Sequence, residues 1–192
     1  MTNVTIFGKG NMGTAIASVL SKGGATVTHI TSSDTSAKIT GDVVVLAVPH
    51  PAISDIVAAY GDQFSGKTVV DITNPLDFST FDALVVPADS SKAAELATAV
   101  PSAKVVKAFN TNFAATLAGG TVGDAQPTTV LVAGDDAAAK QTLVDLVVAG
   151  GLQAVDAGSL KRARELEAIG FLQLTAAVSE KIGWTGGFAV VR

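Results

Sequence analysis

The sequence predicts an α/β chain of the Rossmann type: a doubly wound, mainly parallel sheet that lacks one edge helix and strand after its second strand and closes on a C-terminal helix. Three observations carry this expectation. Strand-like apolar runs alternate with helix-like stretches along the 192 residues, the pattern that builds parallel sheets through right-handed crossovers. A glycine turn, Gly8-Lys9-Gly10-Asn11-Met12-Gly13, joins the first strand to the first helix. Only residues 31–41 separate the second strand from the third. A crossover with its helix needs at least ~10–12 residues, and this segment has no amphipathic pattern.

The elements follow in order. Residues 4–7 form a buried strand and residues 12–20 a helix rich in small and apolar side chains. Residues 26–30 make the second strand. Residues 42–48 make the third, an apolar run without a break after Asp42, of the kind seen where helices cover both faces of a sheet. Strands at 68–72, 104–108, 129–132 and 152–155 complete the set, with helices near 51–60, 91–100, 135–149 and 159–181. Residues 112–127 read as a loop or short helix, broken by Gly119-Gly120 and Pro127. The last helix begins charged and turns apolar on more than one side, which predicts burial all round its second half. It offers either simple packing, a homodimer contact or a wall for a second substrate.

Composition narrows the function. With 48% hydrophobic and 16% charged residues a compact chain is expected, its 192 residues predict a single domain, and at this length roughly 70% of its surface can be buried. A net charge of −4 without a basic patch argues against nucleic acid. The chain has no cysteine, which removes disulfides, thiolate chemistry and cysteine metal sites. No apolar run approaches the ~20 residues that span a bilayer, and the N-terminus enters a strand at once. A cytoplasmic chain with no membrane partner is expected.

The glycine turn is a dinucleotide-binding signal in this context. Gly8 permits the tight turn, Gly10 leaves room for a pyrophosphate, and Gly13 lets the helix lie close to the strand. Lys9, Asn11 and Met12 complete the loop. The helix N-terminus adds unpaired N–H groups and the positive end of a dipole. The alternative is a glycine turn in an ordinary βαβ unit.

The end of the second strand selects the nicotinamide cofactor. A carboxylate there would hold the ribose 2′-hydroxyl of NAD and repel a 2′-phosphate. The tip reads Thr31-Ser32-Ser33, three hydroxyls that favour NADP. Asp34 follows one position later and would turn the preference back if it faced the ribose.

Ala47-Val48-Pro49-His50 follows the third strand, and ligands of open α/β sheets lie beyond the carboxyl ends of strands. Ala47, Val48 and Pro49 should line the ribose and pyrophosphate groove, although Pro49 also suits a helix start. His50 can hydrogen-bond to cofactor or substrate, or serve as a surface residue at a helix start. Thr73-Asn74-Pro75 follows the fourth strand and should receive the nicotinamide end, with turn chemistry as the alternative. Lys107-Ala108-Phe109-Asn110-Thr111 ends the next strand on the same edge.

Acid–base chemistry is thin. Tyr60 has Phe64, not lysine, four positions on, and the histidines are His29 and His50. No cluster has metal-ligand spacing, and no residue is assigned a catalytic role. Direct hydride transfer between two bound ring systems, which needs positioning more than proton transfer, fits best.

The glycine turn, the run from Asp42 to Pro49, Gly66-Lys67-Thr68-Val69-Val70-Asp71-Ile72-Thr73-Asn74-Pro75-Leu76 and Val105-Val106-Lys107-Ala108-Phe109-Asn110-Thr111 occur in a distinctive order. In that order the chain resembles the NADPH-dependent F420 reductase family, whose fold is shared by the reductase domain of the STEAP metalloreductases. Ala133-Gly134-Asp135-Asp136, Val155-Asp156-Ala157-Gly158 and the helix around Glu165 and Glu167 extend the resemblance over nearly the whole chain. It implies NADPH along the glycine turn, nicotinamide near Thr73-Asn74-Pro75, and a second flat redox partner, F420 or a flavin, stacked on it. Two departures stand out. The missing edge elements open the adenine side, and the Ser-Arg pair the family often uses for the 2′-phosphate reads Thr31-Ser32 here.

The leading expectation is therefore an NADP(H)-dependent oxidoreductase acting on a small-molecule redox substrate. A non-catalytic NADP-binding module that senses redox state or docks on a partner is the alternative. A hydroxyacid-type dehydrogenase ranks last for want of a catalytic lysine or histidine and of a long helical substrate domain.

Overall fold

The computed structural model describes residues 1–34 and 36–191. The chain forms β1 (Asn3–Phe7), α1 (Asn11–Lys22), β2 (Thr26–Ile30), β3 (Val43–Leu46), α2 (Ile53–Tyr60), β4 (Thr68–Asp71), α3 (Lys92–Ala99), β5 (Lys104–Lys107), α4 (Ala114–Gly119), β6 (Thr121–Val122), β7 (Gln126–Pro127), β8 (Thr129–Gly134), α5 (Ala137–Ala149), β9 (Gln153–Gly158) and α6 (Ala163–Val178). Short 3₁₀ turns at His50–Ala52, Gly61–Phe64 and Leu160–Arg162 join several of them. The main sheet has seven strands in the order β2-β1-β3-β4-β5-β8-β9.

The apolar run of β3 shows why the sheet is covered twice. Val43 and Val45 belong to a core shared with Ile16, Leu20 and Leu143 of α1 and α5. Val44 and Leu46 belong to a second core with Ile53 of α2 and Leu96 of α3. Successive strand residues point to opposite faces, so four consecutive apolar residues are buried only if helices lie on both sides. β2 is the sheet edge, as expected, and no regular element among the described residues fills the stretch between β2 and β3. Ile39 is instead tucked into the second core.

Two features refine or correct the sequence reading. First, the sheet is mainly parallel, as expected, and its one antiparallel pairing among the described residues is now located: β8 pairs antiparallel with β5, and β9 runs parallel to β8, so the last two strands are reversed together. The cause is the connection after β5, where α4 and the β6–β7 hairpin return the chain to the same end of the sheet before β8 begins. Second, α6 is not buried all round. Its buried face is Ala163, Leu166, Glu167, Gly170, Gln173 and Ala177, while Leu172 is 58% and Val178 45% exposed. Polar demand decides this. Glu167 answers a buried lysine, and Gln173 donates to the Thr111 carbonyl and accepts from the Phe188 N–H. No helix among the described residues is long and apolar enough to cross a membrane.

Candidate functional site

The glycine turn sits where β1 leaves the sheet between β2 and β3. Gly8 has φ +99°, and a Cβ there would collide with the Ala47 carbonyl. At Gly13 a Cβ would lie 2.6 Å from the Gly8 carbonyl oxygen. These two glycines are thus required by the protein itself. Gly10 is different: a Cβ would meet nothing within 4 Å, and its φ of −73° and ψ of −171° suit any residue. The space over Gly10 is an open cradle. The N-terminus of α1 above it has no side-chain cap and no acidic residue in its first turn, so its N–H groups remain available to an anion.

Two cavities flank this turn. One, of about 550 Å³, is lined by Gly10, Asn11, Met12, Thr73, Asn74 and further residues below. The other, of about 610 Å³, is lined by Gly8, Lys9, Thr31, Ser32, Asp34 and Tyr60 among others. Val48 and Pro49 border both. Together they make one cleft across the carboxyl ends of the strands, at the point where the order of strands reverses around β1.

Most of the residues expected from the sequence meet there. Gly8, Lys9, Thr31, Ser32, Val48 and Pro49 line the second cavity. Gly10, Asn11, Met12, Ala47, Val48, Pro49, His50, Thr73 and Asn74 line the first. Gly13, Ser33 and Pro75 border neither. Gly13 lies beneath the turn, and the Ser33 hydroxyl is bonded to that of Thr31 at 2.8 Å.

The tip of β2 is not free of carboxylate. Asp34 turns back and accepts hydrogen bonds from the Thr31 N–H at 2.8 Å and the Thr31 hydroxyl at 2.7 Å. These bonds, the backbone one foremost, hold its carboxyl below the usual carboxylate range. The Tyr60 hydroxyl fixes the loop by donating to the Asp34 carbonyl at 2.7 Å. Asp55 adds a second acidic residue to the cavity wall, with Lys9 as the cation among the lining residues.

Behind the first cavity the strand ends are tied by a buried charge cluster that sequence reading placed only as a polar run. The Lys107 ammonium, 0% exposed, donates to Asp71 Oδ2 at 2.8 Å, Glu167 Oε1 at 2.8 Å and the Thr73 carbonyl at 2.6 Å. Asp71 Oδ1 also accepts from the Thr73 N–H at 2.8 Å. Lys107 thereby holds the Thr73-Asn74 loop against β5 and α6. Burial pushes the Glu167 carboxyl up from its ordinary value, against the pull of Lys107. Asn74 donates to the Asn110 carbonyl and accepts from the Asn110 amide, each at 2.8 Å, so its side chain is largely engaged in holding the loop. Gly170 of α6 lies directly against Asn74 Oδ1. Thr73 Oγ1, Asn110 Oδ1 and Asn112 Oδ1 are buried without a partner, and all three residues line the first cavity.

His50 leaves the strand end and bonds through Nε2 to the Leu76 carbonyl at 3.2 Å, while its ring stacks on Phe78 at 5.8 Å. Sequence reading missed Phe78, Phe113, Leu174 and Trp184 as cavity residues. Trp184 lies in the tail after α6 and packs on Phe113 at 4.9 Å. The available signal was that it is the sole tryptophan of the chain. Among the described residues no cluster of histidine, aspartate and glutamate could hold a metal ion.

Comparison with known proteins agrees with this geometry. Residues 26–75 match the family of coenzyme F420-dependent NADP oxidoreductases. The chain is 31% identical over 150 residues to the F420-dependent NADP reductase of Methanocaldococcus jannaschii, covering 76% of this chain and 66% of that protein. It is 37% identical over 129 residues to the metalloreductase STEAP3 of Rattus norvegicus, covering 67% of this chain but 25% of the relative. The chain thus spans a quarter of the rat protein and just under two thirds of the archaeal one. A crystal structure from Arthrobacter sp. FB24, provisionally assigned as an F420-dependent NADP reductase, superposes with a TM-score of 0.84 at 26% identity and covers 100% of both chains. With the fold, the glycine cradle and these relatives in agreement, the chain belongs to the coenzyme F420-dependent NADP oxidoreductase family.

Proposed function

We propose that the chain is an NADP(H)-dependent oxidoreductase that passes hydride between the nicotinamide and a flavin- or deazaflavin-type ring. The carrying observation is the cleft itself: two cavities of dinucleotide scale meet at Val48 and Pro49 on either side of an open glycine cradle. Gly10, Asn11 and Met12 would take the pyrophosphate, with Lys9 at its margin. Thr31, Ser32 and Ser33 are the residues proposed for the 2′-phosphate. Ala47, Val48, Pro49 and His50 would border the ribose, and Thr73, Asn74 and Pro75 the nicotinamide end. A carboxamide there could complete one of the unpartnered oxygens, each of which costs about 1–3 kcal/mol while unsatisfied.

When bound, NADPH supplies a hydride to an acceptor ring, which takes one further proton from water. The protein positions rather than protonates: among the residues lining the first cavity, His50 is the one with an ordinary acid–base side chain. The test is NADPH oxidation with F420, FMN or riboflavin as acceptor. Turnover with a ring acceptor supports the reading. Tight NADPH binding with no turnover on any of them overturns it in favour of a sensing or docking module. A second copy of the chain could meet the exposed apolar face of α6, and sedimentation would show it.

Asp34 sets how sharply NADPH is preferred. A 2′-phosphate needs the Thr31 donors that Asp34 already holds, and it must approach two carboxylates. Replacing Asp34→Ala is expected to raise the NADPH-to-NADH ratio of kcat/KM on the order of tenfold, mostly through KM. An unchanged ratio would place the 2′-group elsewhere.

A further inference from the structure

We infer that the first cavity grips its second substrate as a planar ring between Trp184 and Phe78, with no charged contact to whatever tail the ring carries. The inference rests on the proposed function for which cavity holds the acceptor and adds how that acceptor is recognised. Both aromatic side chains line the cavity while remaining half-exposed, Trp184 at 52% and Phe78 at 50%. Large aromatic groups left open inside a cavity are the informative kind of exposure.

Neither ring is loose. Trp184 is backed by Phe113 with a tilt of 59°, and Phe78 lies nearly flat on His50 at 17°. The tail is tied down just beyond Trp184: Gly123 N–H donates to the Thr185 carbonyl at 2.8 Å, and Phe188 N–H to Gln173 Oε1 at 2.8 Å. The segment bearing Phe78 is closed by Asp77 N–H to the Ala83 carbonyl at 2.9 Å and Val85 N–H to the Pro75 carbonyl at 2.7 Å. Rings fixed in advance lose little freedom when a ligand stacks on them, and stacked or edge-on aromatic contacts add to simple burial.

The charge pattern supplies the second half of the inference. No lysine, arginine, aspartate or glutamate lines this cavity. The Lys107 ammonium behind it spends its bonds on Asp71, Glu167 and the Thr73 carbonyl and has no exposed surface. A phosphate or carboxylate on the acceptor's tail therefore finds no charged side chain within the cavity, and the free N–H groups at the start of α1 are those assigned to the dinucleotide's pyrophosphate, so affinity comes from the ring.

The sole tryptophan makes this measurable without turnover. Riboflavin titrated into the protein saturated with NADP⁺ should quench Trp184 emission to a plateau. FMN, the same ring with an anionic tail, should bind within about threefold of riboflavin, and raising salt from about 50 to about 500 mM should leave both nearly unchanged. Phe78→Ala should weaken riboflavin about tenfold with NADP⁺ affinity by calorimetry unaltered. Trp184→Ala should do the same when flavin emission is read instead. The inference is overturned if FMN binds tenfold or more tightly than riboflavin in a salt-sensitive way, or if both variants bind riboflavin like the parent chain. Absence of NADP⁺ binding would instead sink the proposed function, and riboflavin titrated into the nucleotide-free protein would still decide the ring cage.

Discussion

Lys107→Met is expected to cost about 3–5 kcal/mol of folding stability, the usual penalty for leaving buried charge without its partner. The variant keeps the aliphatic stem but strands two carboxylates, Asp71 and Glu167, that are 0% and 1% exposed. Urea unfolding followed by circular dichroism would measure it. The loss should also depend on pH. Burial already raises the Glu167 carboxyl above its ordinary value of 4.5, and Lys107 is what opposes that shift. Without Lys107 the folded-state pKa rises further. A raised carboxyl favours the folded state below its unfolded pKa and loses that contribution as pH climbs through the folded pKa. The gap between variant and parent should therefore be narrowest in acid and widen upward from about the ordinary glutamate range. Adding Glu167→Gln should recover part of the loss, so that the double variant is more stable than the sum of the singles predicts. A cost near ~1 kcal/mol with no pH trend would show the cluster to be incidental.

Gly10→Val should abolish nucleotide binding while leaving the fold intact, a separation that few glycine-turn substitutions allow. At Gly8 or Gly13 a side chain strikes the protein's own backbone, so lost binding there would be confounded by misfolding. At Gly10 nothing stands in the way and the backbone is extended. The valine would occupy the cradle where the pyrophosphate is proposed to lie, and NADPH affinity by calorimetry should fall at least about 100-fold, roughly 2.7 kcal/mol. Melting in the absence of nucleotide should be nearly unchanged. Undiminished affinity would move the phosphates away from the turn.

How far the sequence reads through to the structure depends on the range of the interactions. The edge position of β2, the double burial of β3 and the glycine turn are encoded within a few residues each, through alternation, turn chemistry and short spacing, and each is legible. The polarity of β8 and β9 is not, because an apolar run has the same pattern in either direction. Asp34 is visible in the sequence, but its return to Thr31 is a local hydrogen-bonding outcome that competes with pointing into solvent. The inward Glu167 and outward Leu172 of α6 invert the hydrophobic rule because the buried Lys107 demands a counter-charge across 60 residues of chain. Trp184 reaches the cavity only through the path of the tail, which no local pattern records.

The reversal of β8 and β9 settles which way the end of the chain travels. A parallel β9 would deliver its following helix at the mouth of the cleft and send it away. Running antiparallel to β1–β5, β9 starts at the cleft end and runs away from it to Gly158, opposite Ala133 and level with Lys107, and α6 must climb. On the way up it passes Glu167 to Lys107, Gly170 to Asn74, Gln173 to Thr111 and Leu174 to the cavity wall. The chain arrives at the cleft last, with Trp184 in its final stretch. A truncation after α6 would thus take away a wall of the cavity while sparing the sheet, the glycine turn and the cavity beside Thr31.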